Sequence, residues 1–184
     1  MFRNAEGQAY IYAPDEVSDP CVPDPPRSLA ADWSPPTFEV ISSDEYRSYL
    51  PKKDFLTFLR ETMVLNDRAV ERLRPILLPS GELLPIYLSN DRDVPYLFNV
   101  TRVLNAIDMR RSKFRRLSTG RIMCYERLVF DPSKIPDEPI FFKTTQMGPV
   151  TEIFANEAAV EAVKKARLTG HDFRLVWSDK RSKR

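Results

Sequence analysis

The side chains able to do chemistry in this chain are few and scattered. Its one histidine, His171, follows Gly170 where a helical pattern gives way to a strand-like one. With no serine or cysteine motif for it to activate, His171 is expected to play a polar or capping part, not that of a general base. Cys21 and Cys124 stand far apart and in no metal-ligand spacing. One histidine and two distant cysteines make no zinc cluster, and the pair suits a reducing cytosol better than a disulfide framework. Carboxylate sites for magnesium or calcium stay open. The five glycines are dispersed, so no Gly-rich loop exists to let backbone approach a phosphate. Acidic residues are plentiful, but no spacing sets an acid-base pair apart from ordinary surface charge. The expectation is a protein with no cofactor, no metal and no turnover of its own.

One charge run stands out: Arg110-Arg111-Ser112-Lys113-Phe114-Arg115-Arg116, five cations around one aromatic ring. It could meet an acidic face of a protein partner, or grip phosphates while Phe114 stacks on a base. It could equally be a solvated helix end whose cations complement the dipole. The polar loop Asp91-Arg92-Asp93 flanks the same predicted strand-helix unit, so loop and run together are expected to form a mixed-charge partner surface.

Residues 80–112 must position these groups. Leu83 to Leu88 and Val94 to Phe98 are aliphatic and aromatic runs around a short polar stretch, which predicts a hairpin. Pro85 and Pro95 cannot donate to a ladder and should face an edge or a bulge. Thr101 can cap a helix over residues 101–108, with Val103, Leu104 and Ile107 on one face. A weak echo joins MVLNDRAVERL (63–73) to IFANEAAVEAV (153–163). In each, an apolar run meets an asparagine, an acidic residue and then Ala-Val-Glu, the pattern of a strand ending at a helix cap. Helices are predicted over 67–74 and 157–168, with Pro75 ending or kinking the first. The bland reading, two independently capped helices, is preferred to a duplication. Tyr10 to Tyr12, residues 122–130, 140–143 and 173–177 read as strands.

Strands and helices are interspersed without strict alternation. This argues for an α+β fold: a mixed, mostly antiparallel sheet with a few short helices. With 184 residues, 42% of them hydrophobic, the chain suits one sizeable core. The organisation expected is a strand and proline-rich arm over 1–36, an α+β domain over 37–177 and a polar basic tail over 178–184. Val22, Leu29 and Trp33 offer apolar points that could pin the arm to the domain. A net charge of +2 gives no strong pull toward nucleic acid, membrane or acidic substrates. No segment reads as a secretory signal or membrane span, so the cytoplasm is the default location.

The run Phe98-Asn99-Val100-Thr101-Arg102-Val103-Leu104-Asn105-Ala106-Ile107-Asp108, with Ser112 four residues on, resembles the central motif of a bacterial immunity-protein family from polymorphic-toxin systems. Gly81-Glu82-Leu83-Leu84-Pro85, Ile140-Phe141-Phe142-Lys143 and Leu168-Thr169-Gly170-His171-Asp172-Phe173 extend the resemblance over roughly residues 38–177. It implies an intracellular protein that neutralises a cognate toxin domain, encoded by a neighbouring gene, by binding it. It assigns no catalytic residue. Asp108 and Ser112 match the motif, and both also make local turn hydrogen bonds, so a structural role is expected of them first. The alternative is a small nucleic-acid-binding module using the Arg110 to Arg116 cluster.

Overall fold

The computed structural model describes residues 1–12, 25–43, 49–58, 62–89, 91–147 and 152–179. Among these, thirteen short strands and two α-helices follow in the order β1 (Phe2–Asn4), β2 (Tyr10–Tyr12), β3 (Thr37–Ile41), β4 (Phe55–Leu56), β5 (Met63–Leu65), α1 (Asp67–Leu77), β6 (Gly81–Pro85), β7 (Tyr87–Leu88) and β8 (Tyr96–Val100). Then come β9 (Lys113–Arg116), β10 (Ile122–Arg127), β11 (Phe141–Phe142), β12 (Phe154–Ala155), α2 (Glu157–Lys165) and β13 (His171–Phe173). The central sheet is antiparallel in the order β4-β5-β8-β6; a second has the order β2-β3-β7, and three two-stranded ladders join β1 to β13, β9 to β10 and β11 to β12. Only β3 and β7 run parallel among these pairs. The fold is α+β and mostly antiparallel, as the interspersed pattern predicts.

Both asparagines of the echo cap their helices. Asn66 and Asn156 each accept a hydrogen bond from the amide three residues on, Ala69 and Ala159, at 2.9 Å, which satisfies a first-turn donor that the helix itself leaves free. Val70, Leu73 and Leu77 of α1 join Val163 of α2 in one buried cluster with Phe55, Met63, Leu65 and Phe98 from the central sheet. Each fully buried aliphatic side chain there contributes about 1.5–3 kcal/mol of transfer free energy. Pro75 does not end α1, which continues to Leu77 and closes with the Leu78 amide on the Arg74 carbonyl at 3.1 Å. So near the end, the missing amide of Pro75 removes a single intrahelical bond. The second helix is shorter than predicted and ends at Lys165, because Arg167 takes a left-handed φ of 50° that no helix continues through.

Four other expectations are corrected. The hairpin pairs Gly81–Pro85 with Tyr96–Val100, in the register Leu83 with Phe98 and Leu84 with Leu97. Tyr87 and Leu88 turn away to β3. β6 is a terminal strand of its sheet, which accommodates Pro85 at an edge. Residues 101–108 form no helix. Their backbone groups are taken by distant chain: the Thr101 and Arg102 amides donate to the Ser80 carbonyl, Leu104 to Lys143, Asp108 to Val129, and the Ile107 amide to the Gln146 side chain. With Val100, Thr101 and Val103 β-branched, the segment had weak helical preference to set against these partners. The predicted final strand stops at Phe173, and Leu175 beyond it is 80% exposed. The strand predicted over 122–130 ends at Arg127, after which Leu128 and Phe130 sink into a second apolar cluster.

The described part of the proline-rich arm is pinned. The Glu82 carboxylate accepts from the Ser28 hydroxyl at 2.7 Å and the Leu29 amide at 2.6 Å. Asn99 donates to the Arg27 carbonyl at 2.8 Å, and the Trp33 indole donates to the Pro85 carbonyl at 2.8 Å. Val22 and Cys21 lie outside the described residues. At the other end of the chain, β1 pairs with β13, so Phe2 lies fully buried opposite Phe173.

Candidate partner-binding surface

Asp108 and Ser112 build the turn that launches the cationic run. The Asp108 carboxylate accepts from the Arg110 and Arg111 amides at 3.0 and 3.1 Å, and its carbonyl accepts from the Ser112 amide at 2.9 Å. The Ser112 hydroxyl then accepts from the Val129 amide at 2.9 Å. These are the local turn bonds that their residue types favour.

The run itself is not a helix end. Lys113–Arg116 is a strand paired with Ile122–Arg127, so Lys113 stands opposite Arg127, Phe114 opposite Tyr125 and Arg115 opposite Cys124. Phe114, Ile122 and Tyr125 pack against the second apolar cluster. Lys113, Arg115, Arg116, Arg121 and Arg127 are exposed, as are Arg110 and Arg111 on the turn before them. Against these cations the ribbon sets Glu126, 3.8 Å from the Arg115 guanidinium. An exposed pair at that distance contributes little. The Arg127 guanidinium donates to the Arg111 carbonyl at 2.7 Å and Arg116 to the Gly120 carbonyl at 2.9 Å. These bonds spread the positive groups along the ribbon. Leu117 and Met123 add exposed apolar surface.

The loop residues Asp91, Arg92 and Asp93 are placed differently. Asp91 and Asp93 both pair with Lys52. The Asp91 hydrogen bond raises the Lys52 ammonium pKa above its ordinary value, and Lys52 in turn lowers the Asp91 carboxyl. Arg92 is exposed. In the chain the loop precedes β8 and the ribbon follows it. Arg121 and Arg127 are not legible in the sequence as part of this run, because only the pairing of the two strands brings Arg127 opposite Lys113 and Arg121 to Leu117, next to Arg116.

His171 lies against the rings of Phe55 and Phe173, 4.9 and 5.6 Å between centroids, and its Nδ1 is buried with no hydrogen-bond partner. Burial lowers its pKa below the ordinary value, outweighing the nearby carboxylates of Asp172 and Asp54. A lowered folded pKa means that protonation favours the unfolded chain, so the contribution is complete above the unfolded value of about 6.5 and is lost as pH falls from there through the folded pKa. Urea midpoints measured across that window should fall for the wild type and stay flatter for His171→Phe; parallel profiles would rule out the buried imidazole as the source.

Among the described residues, no group of three or more His, Cys, Asp or Glu side chains could hold a metal ion, and no helix is long and apolar enough to cross a membrane. The cations of the 110–116 run stand on an exposed ribbon of an α+β protein. Residues 89–177 match the model of the Immunity protein family (Imm11), a span that contains β8, the whole ribbon and α2. The resemblance to an immunity-protein family therefore holds over just under half of the chain. No curated protein matches it.

Proposed function

We propose that the chain is an immunity protein that binds a cognate toxin stoichiometrically in the cytoplasm and blocks its active site or its access to substrate, with no turnover of its own. The observation that carries this reading is the family match across 89–177. The toxin is encoded beside it. Its contact on this chain is the ribbon carrying Arg110, Arg111, Lys113, Phe114, Arg115 and Arg116, which suits an acidic face of the partner. Asp91, Arg92 and Asp93 are a separate, smaller contact. A nucleic-acid module is the second reading; against it, Phe114 packs on the second cluster beneath the Arg116 guanidinium, 6.0 Å from its ring centroid, and is no free platform for a base.

Titration of the purified toxin domain against wild type and R111E/R115E tests both parts. The double reversal should weaken binding by about 2 kcal/mol or more while leaving the unfolding midpoint nearly unchanged, as for exposed sites. No binding by the wild type would remove the immunity reading. Equal affinities would move the interface off the ribbon. A steep loss of affinity for unrelated nucleic acids with added salt would favour the second reading.

A further inference from the structure

The three-stranded sheet β2-β3-β7 has one buried face and one open face. Ile11, Phe38 and Leu88 point inward into a third apolar cluster with Leu56, Val64 and Leu97. The alternation of the strands then turns Tyr10, Tyr12, Thr37, Glu39, Ile41 and Tyr87 outward. Tyr10, Tyr12 and Tyr87 are 42%, 50% and 50% exposed. Tyr12 stands directly opposite Glu39, Tyr10 opposite Ile41, and Tyr87 opposite Thr37, one outward position from Glu39. Neighbouring strands lie about 4.8 Å apart and successive outward residues about 6.8 Å, so all three phenol rings lie within side-chain reach of the carboxylate.

We infer that this face is a second contact surface for the toxin, taking a segment of it that carries arginine or lysine side chains; the inference rests on the immunity reading above. Three features of the face point to that occupant. Glu39 is the single charge among the six outward side chains, and among the described residues it pairs with no cation. The tyrosine rings offer negative π-faces beside it, which attract a cation already drawn to the carboxylate. Tyrosine also supplies broad contact area at a small cost in conformational entropy, which is why it is enriched at protein interfaces. A symmetric pairing of two copies through this face would instead bring Glu39 toward Glu39. With the cationic ribbon elsewhere, the chain presents opposite preferences on two surfaces, a positive one for acidic groups and an aromatic-acidic one for basic groups. A partner bearing both kinds of patch is selected over one bearing either alone.

The test is calorimetric titration of the purified toxin domain against wild type, Y10T/Y12T and E39K, with unfolding midpoints and sedimentation masses measured alongside. Threonine keeps the strand preference of β2 while removing the rings. Y10T/Y12T should bind about 30-fold more weakly and E39K at least about 10-fold more weakly, with midpoints close to that of the wild type. Should Y10T/Y12T fail to fold, E39K, which retains every ring, decides the question. Wild-type affinity in the folded variants overturns the inference while leaving the immunity reading in place. Failure of the wild type itself to bind the toxin overturns the reading beneath it. A wild-type dimer that Y10T/Y12T dissolves without loss of toxin affinity assigns the face to self-association and also overturns the inference.

Discussion

Gly170→Ala is expected to lower stability by about 4 kcal/mol, and the reason is local geometry. Gly170 has φ of +91°, and a Cβ placed there would stand 2.4 Å from the Phe55 carbonyl oxygen, 2.6 Å from Lys53 Cβ and 2.7 Å from Gln8 Oε1. The backbone conformation alone costs an L-residue about 1–2 kcal/mol. Driving a methyl into packed chain adds about 1–3 kcal/mol, since the Phe55 carbonyl belongs to a fully buried residue of the first cluster and cannot move freely. The Gln8 amide, which donates to the carbonyls of both Phe55 and Gly170 at 3.2 and 3.1 Å, would lose its place as well. Gly120 is the control. Its φ is +83° but nothing lies within 4 Å of its Cβ position, so Gly120→Ala should show the backbone part alone. Urea denaturation of both variants separates the two effects. Equal losses would mean that crowding at Gly170 is relieved at no cost.

Asp54→Ala should cost about 3 kcal/mol. The residue is 4% exposed just before β4, and its carboxylate accepts from the Thr169 amide at 2.8 Å, the Thr169 hydroxyl at 2.9 Å, the Asn66 side chain at 3.3 Å and the Arg68 guanidinium at 3.1 Å. One side chain thus ties the cap of α1 to the turn before β13. Burial pushes its pKa upward and is the largest single influence. The Thr169 amide and hydroxyl, the Asn66 amide and Arg68 together outweigh it and hold the carboxyl below the ordinary range. Because the folded pKa is depressed, the contribution is present above the unfolded value of about 3.9 and disappears as pH falls through the folded one. Truncation leaves the Thr169 donors without an acceptor, which is the larger part of that cost; the half-exposed Arg68 can turn to water. Chemical denaturation near pH 7 measures the loss, and Asp54→Asn at acid pH should show a shallower decline than the wild type. A loss below 1 kcal/mol for the alanine variant would show that water replaces the carboxylate.

What the sequence revealed and what it concealed divide by the reach of the interactions. Asn66 and Asn156 were legible because a cap bonds an amide three residues away, and the stripes behind them repeat at helical spacing. Asp108 and Ser112 were legible for the same reason. The failure at 101–108 came from a spacing that was genuine but irrelevant. Val103, Leu104 and Ile107 do recur at helical intervals, yet the backbone of this segment finds its partners at Ser80, Lys143, Val129 and Phe130, which no local pattern announces. Misplacing that helix turned the following cations into a supposed helix end. The ribbon depends on Lys113 meeting Arg127 across a turn. Similarly, Tyr10-Ile11-Tyr12 reads as a strand, but which of its faces meets solvent depends on Phe38 and Leu88 arriving from elsewhere.

The strap formed by Arg27, Ser28, Leu29 and Trp33 over Glu82, Pro85 and Asn99 bears on how this protein survives being made in quantity. A terminal β-strand with open backbone groups is a template on which other chains can stack into aggregates. Here Trp33 occupies the Pro85 carbonyl on the outer side of β6. At the sheet's opposite margin the Phe55 amide is held by the Thr169 carbonyl and Thr57 by the Ile11 amide. With these margin groups taken, fewer backbone donors and acceptors of the central sheet, among the described residues, stay open for a second copy to extend it.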